Sequence, residues 1–127
     1  MEKVRVVISH NDKNVTNDIA NTINQLEYAE VVGIATNGEQ TYQQILDLKP
    51  QVVFSKYYVD GMNGLELMKL SKEQLKEDMP TFNIIADNHI TDSDVMKMYQ
   101  EIGNKLSSLV TEPVINDVVN IMQKYHK

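Results

Sequence analysis

Lys56 closes the apolar run Val52-Val53-Phe54-Ser55 and stands before a turn-rich stretch, Asp60-Gly61 and Asn63-Gly64, from which a helix carrying Leu65, Leu67, Met68 and Leu70 departs. A strand end whose loop opens a helix is where open α/β sheets gather their chemistry. Two chemistries are open to an amine there. It can act as a Schiff-base nucleophile if an apolar pocket or a second amine activates it, or it can form half of an ion pair. The sequence offers neither activating feature, so an ion pair is the expectation. His10-Asn11-Asp12 is the second candidate. An imidazole beside a carboxylate can hold a metal such as zinc, but His89 and His126 have no spacing that completes a ligand set, and the segment reads as a polar loop. With no nucleophile and base pair, no glycine-rich phosphate loop and no carboxylate cluster, we expect no enzyme activity, no cofactor and no metal.

Five strand-helix alternations position these residues. Val4, Val6, Val7 and Ile8 form a first buried strand, and Asp12 or Asn14 caps a helix in which Val15, Ile19, Ile23 and Leu26 recur at helical spacing. Glu30 to Ala35 is the second strand. Asn37-Gly38 starts a helix through Leu48 that buries Thr41, Ile45 and Leu48, and Pro50 opens the third strand. A helix from Asn63 to about Lys76 precedes a fourth strand, Phe82 to Ala86, interrupted by Asn83. Thr91-Asp92 caps a helix that stops at Gly103. Ser108 to Thr111 is the fifth strand, and Pro113 opens a last helix running to near Tyr125. Long crossovers of right-handed sense predict an α/β, doubly wound, five-stranded parallel sheet with five helices. The strand ends then bring His10-Asn11-Asp12, Lys56, Ala86-Asp87 and Glu112 to one crevice.

A chain of 127 residues makes one domain, residues 1–127. It contains no Cys, which excludes disulfides and thiol chemistry, and no apolar run near the ~20 residues that cross a bilayer. MEKVRVVI enters a strand directly without a targeting pattern, so a cytoplasmic location is expected. A net charge of -6 argues against nucleic-acid binding through this segment, which would need a Lys/Arg-rich face.

The stretch PQVVFSKYYVDGMNGLEL resembles the centre of bacterial response-regulator receiver domains, matching them at Pro50, Gly61, Met62, Gly64, Leu65, Glu66 and Leu67. The likeness spans essentially the whole chain and implies the flavodoxin-like strand order 2-1-3-4-5. Within the family it is nearest to the receiver half of the stage zero sporulation protein A regulators, through MEKVRV, EVVGIATNGEQ and the Pro50–Leu67 block. Receivers carry two acids after strand one, a phosphoacceptor Asp after strand three, a Thr or Ser after strand four, an aromatic in strand five and a Lys before a Pro. The resemblance puts these places on His10 and Asn11, Lys56, Ala86, Leu109 and Glu112.

Every chemical part of the family site is therefore exchanged, and aspartyl phosphorylation at Lys56 is not expected. Lys56 and Glu112 reverse the family's carboxylate and lysine, so one ion pair of opposite polarity is anticipated. Tyr57 and Tyr58 are read as a cover for this site or part of a partner surface. In the last helix Ile115, Val119 and Met122 form one apolar stripe, with Val114, Val118 and Ile121 beside it. Met96, Tyr99, Val114, Val118 and Ile121 are the expected interaction surface for a protein partner or a second copy, through helix four, strand five and helix five. The functional expectation is a phosphorylation-independent pseudo-receiver, a protein interaction module in two-component or sporulation-type signalling. The alternative is the regulatory half of a DNA-binding transcription regulator whose output domain lies beyond Lys127.

Overall fold

The computed structural model describes residues 2–86, 90–111 and 115–126, with the Ile115 side chain outside that description. The elements are β1 (Val4–Ser9), α1 (Lys13–Asn24), β2 (Ala29–Ala35), α2 (Gly38–Leu48), β3 (Val52–Lys56), a short pair β4 (Tyr58–Val59) and β5 (Met62–Asn63), α3 (Gly64–Leu75), β6 (Thr81–Ala86), α4 (Asp92–Ile102), β7 (Leu106–Thr111) and α5 (Ile115–Gln123). The main sheet is parallel with order β2-β1-β3-β6-β7, the doubly wound arrangement expected. The β4–β5 hairpin turns at Asp60-Gly61, where a simple turn was expected.

Period-two alternation along the strands sorts the core into two layers. Val6, Ile8, Val52, Phe54 and Ile85 face α1 and α5, where Ile19, Ile23, Val118, Ile121 and Met122 meet them. Val7, Val53, Phe82 and Ile84 face the other way, toward Ile45, Leu67, Met68 and Met98 of α2, α3 and α4. Both faces of the sheet are covered, which is why its strands read as continuous apolar runs.

Two expectations need correction. Asn83 does not interrupt β6; it is fully buried in an unbroken strand, accepting from Ser108 Oγ at 2.7 Å and donating to the Val53 carbonyl at 3.5 Å. A buried amide is tolerated once its polar atoms are paired. Val118 and Ile121 are not surface residues: at 0% and 5% exposed they fill the layer against α1, because the buried side of α5 is the Val118, Ile121, Met122 stripe. Val119 points outward instead, 38% exposed, and Val114 lies outside the described residues. Met96 and Tyr99 are exposed on α4 as expected, at 59% and 52%.

Local caps set the helix starts. Asp12 accepts from the Asn14 N–H, Asn37 from the Gln40 N–H, and Asn63 from the Glu66 N–H, satisfying donors that a helix start leaves open. Gly38 is required by close approach, since a Cβ there would collide with Met62 as the hairpin docks, the Gly38 N–H donating to the Asp60 carbonyl at 2.9 Å. The outer margin of β2 is occupied by three side-chain amides. Asn24 Oδ1 accepts from the Val31 N–H, Gln44 Nε2 donates to the Ile34 carbonyl, and Gln40 Oε1 accepts from the Thr36 N–H. At the opposite end of the sheet's strands from Lys56, the Tyr125 hydroxyl donates to Ser107 Oγ at 3.0 Å and shares a 2.7 Å hydrogen bond with Thr81 Oγ1, tying the end of α5 to β7 and β6.

Candidate functional site

The strand register places the predicted residues along one margin. Ser9 pairs with Ala35 and Ser55, Lys56 with Ile85, and Ala86 with Thr111, so the carboxyl ends of all five strands lie nearly level. His10, Lys56 and Ala86 are thereby brought to one margin of the sheet. Asp87 and Glu112 fall outside the described residues, and with Glu112 goes the expected pair to Lys56.

His10 is only 3% exposed, its N–H donating to the Ala35 carbonyl at 3.1 Å. Its Nδ1 accepts the Asp12 N–H at 3.0 Å, which places the ring hydrogen of the neutral tautomer on Nε2. The ring is thus engaged in shaping the loop between β1 and α1. Asn11 projects to solvent. Asp12, a neighbouring carboxylate, is turned to its capping bond at the α1 start. Beneath these residues Ser9 Oγ and Thr41 Oγ1 share a buried 2.5 Å hydrogen bond, and Thr41 Oγ1 also reaches the Asn37 carbonyl at 2.7 Å, joining β1 to the start of α2.

Lys56 is half-buried, and among the described residues no carboxylate lies within ion-pair distance of its ammonium. Ala86 presents a methyl group at the end of β6. Leu109 is partly buried against the α2–α4 layer, opposite Ile84. No described trio of His, Asp or Glu is arranged to hold a metal.

Mg²⁺, the ion receivers bind at this margin, does not fit these residues. It prefers hard oxygen ligands in octahedral geometry, usually including carboxylates. Among the described residues this margin supplies an imidazole whose Nδ1 is occupied, an exposed amide, an ammonium and the Asp12 carboxylate, which is engaged in capping α1.

Tyr57 is the residue that reading by motif missed. Of the two tyrosines expected to act together, Tyr58 is exposed, whereas Tyr57 is buried in the α2–α4 layer at 4% exposure. The signal was present in the alternation Val53, Ser55, Tyr57, which carries the third residue to the same face as the first.

No family model matches the chain. Along all of its 127 residues it is 25% identical to protein-glutamate methylesterase/protein-glutamine glutaminase 3 of Geobacter sulfurreducens, covering 33% of that protein. It is 30% identical over 80 residues, 63% of the chain, to the protein-glutamate methylesterase/protein-glutamine glutaminase of Clostridium acetobutylicum, covering 23% of it. The chain therefore spans a third or less of these curated relatives. Among solved structures, the response regulator domain of Thermotoga maritima CheB superposes with a TM-score of 0.80 at 16% identity over 97% of this chain and 93% of that one. A DNA-binding response regulator of the LuxR family from Staphylococcus aureus gives 0.80 at 17% identity over 98% and 99%. The signal receiver domain of NarL from Mycobacterium tuberculosis gives 0.78 at 18% over 98% and 97%. The fold is that of response-regulator receiver domains.

Proposed function

We propose that this chain is a pseudo-receiver, a protein interaction module in two-component signalling that keeps the receiver fold and works without phosphorylation. The observation that carries the reading is Lys56. An ammonium ends β3 where the receiver pattern has its phosphoacceptor carboxylate, so no acyl phosphate can form there. On this reading the chain is not an enzyme, has a cytoplasmic setting, and acts through contact with a protein partner or a second copy, with Met96 and Tyr99 of α4 as the exposed apolar part of the contact surface. A link to sporulation control rests on the MEKVRV, EVVGIATNGEQ and Pro50–Leu67 blocks. The methylesterase and glutaminase names belong to proteins of which this chain matches a third or less, and neither activity is assigned to it.

A second reading is the regulatory half of a DNA-binding transcription regulator related to the sporulation regulators, with an output domain beyond Lys127. The similarity in fold to the Staphylococcus aureus DNA-binding response regulator favours it.

Exposure to acetyl phosphate with Mg²⁺, followed by intact-mass analysis, tests the main reading. The wild type and Lys56→Asp are expected to gain no phosphoryl group. His10→Asp/Asn11→Asp/Lys56→Asp, which restores all three acids, is expected to be stabilised by Mg²⁺ in thermal melts, because only binding to the folded state raises stability. A phosphorylated wild type sinks the pseudo-receiver reading.

A further inference from the structure

The amino ends of β1, β2 and β3, at the far end of the strands from Lys56, border a groove of about 880 Å³. Part of its wall is aromatic. The Tyr28 ring and the His126 imidazole lie face to face, their centroids 4.1 Å and their planes 10° apart. Tyr125 stands in the same wall with its hydroxyl fixed by Ser107 and Thr81, and Val4 adds an aliphatic surface.

The rest of the wall is charged, with both signs side by side. Arg5 and Glu30 are register partners on β1 and β2, so their side chains leave the sheet on the same face. Yet among the described residues no ion pair joins them, no other carboxylate pairs with Arg5, and no other cation pairs with Glu30. Arg5 is drawn instead to the carboxyl end of α2, where a helix leaves carbonyls open to cations, its Nη1 donating to the Lys49 carbonyl at 3.1 Å. The Arg5 backbone N–H donates to Gln51 Oε1 at 3.2 Å. A guanidinium carries five N–H donors in a planar fork, so this one is held in position with most of its donors still open to an anion.

We propose that this groove binds a free α-amino acid with a large apolar side chain. Two opposite charges held next to each other and left unpaired match a ligand that carries its own opposite charges on adjacent groups. The α-carboxylate meets the Arg5 fork and the α-ammonium meets the Glu30 carboxylate. A lone anion would gain Arg5 but face Glu30, and a lone cation the reverse. Lys3 and Glu2 on the same rim add one charge of each sign and keep that balance. The Tyr28–His126 stack, Tyr125 and Val4 then seat the side chain. The site goes beyond the pseudo-receiver reading and uses none of the residues at the Lys56 margin.

Titration of the full chain with L-phenylalanine and with L-leucine, followed through amide NMR shifts, tests this. The single-charge analogues 3-phenylpropionate and phenethylamine keep the aromatic side chain and one charge each. Both amino acids should give saturable shifts at Arg5, Tyr28 and Glu30 and none at Lys56. Each analogue should bind at least about tenfold more weakly than L-phenylalanine, the scale of one charge-assisted hydrogen bond. Arg5→Lys, which keeps the charge and loses the fork, and Glu30→Gln should each weaken L-phenylalanine by about tenfold, with melting temperatures near that of wild type showing an intact fold. No saturable shift with either amino acid at millimolar concentration overturns the proposal. So does equal binding of the analogues, which marks a merely apolar surface, or full affinity in both variants, or shifts centred on Lys56. Phosphorylation of the wild type would defeat the pseudo-receiver reading and leave this binding as it is.

Discussion

Replacing Tyr125 with Phe removes one oxygen and leaves the ring. That oxygen makes two hydrogen bonds, to Ser107 at 3.0 Å and with Thr81 at 2.7 Å, and through them the end of α5 is fastened to two strands. A net contribution of about 0.5–1.5 kcal/mol for each bond gives about 1–3 kcal/mol in all. The lower half of that range applies, because Thr81 and Ser107 are only half-buried and regain water, and Thr81 Oγ1 retains a long 3.4 Å bond to the Gln51 carbonyl. At roughly 4 °C of melting temperature per kcal/mol for a domain of this size, Tyr125→Phe should melt about 4–8 °C lower than wild type. Urea denaturation supplies the matching free energy. A double-mutant cycle with Ser107→Ala and Thr81→Val attributes it to the hydroxyl, since pairs sharing a bond must be non-additive. A loss below about 1 °C, or strict additivity, would refute the idea that this hydroxyl anchors α5.

Val118→Ala should cost about 2–3 kcal/mol, two buried carbons plus the cavity they leave, whereas Met96→Ala on exposed α4 should stay within about 0.5 kcal/mol; urea melts of both measure how deeply α5 is buried. The hydrogen bonds from Thr91, its backbone first and then its hydroxyl, hold the Asp94 carboxyl below its ordinary value, with Lys97 and Tyr57 adding to them. Its stabilising effect is therefore present in full above the unfolded carboxylate value and lost as pH falls through the lower folded value. The stability gap between wild type and Asp94→Asn should accordingly close in acid, and because this carboxylate faces solvent the gap should also shrink with salt; denaturant titrations from neutral pH into acid measure it, and a gap that widens in acid contradicts the assignment.

The layers of the fold were legible because strands state their own sidedness. Val6 and Ile8 on one face with Val7 on the other needs no knowledge of partners, and the same alternation in Val52, Val53 and Phe54 gives a sheet covered on both sides. The margin that gathers His10, Lys56 and Ala86 followed from strand order alone. What escaped the sequence depended on residues far apart in the chain. Asn83 read as a break because its partner, Ser108, sits a strand away. The two apolar stripes of α5 looked alike, and only the position of α1 decides that Val118 and Ile121 turn inward while Val119 turns out. His10-Asn11-Asp12 read as a polar loop, but the bond that shapes it, from the Asp12 N–H to His10 Nδ1, depends on the loop's path and was not legible in the residue types.

The amides of Asn24, Gln40 and Gln44 along β2 also bear on how this molecule can be recognised. A bare strand edge is a generic template: any extended peptide can read it through the main chain, whatever its side chains. With the Val31 and Thr36 N–H groups and the Ile34 carbonyl already engaged, that template is partly occupied at this margin. An extended peptide that meets the protein on this side, or a second copy pairing along this edge, must first displace three glutamine and asparagine side chains, which raises the cost of main-chain pairing here.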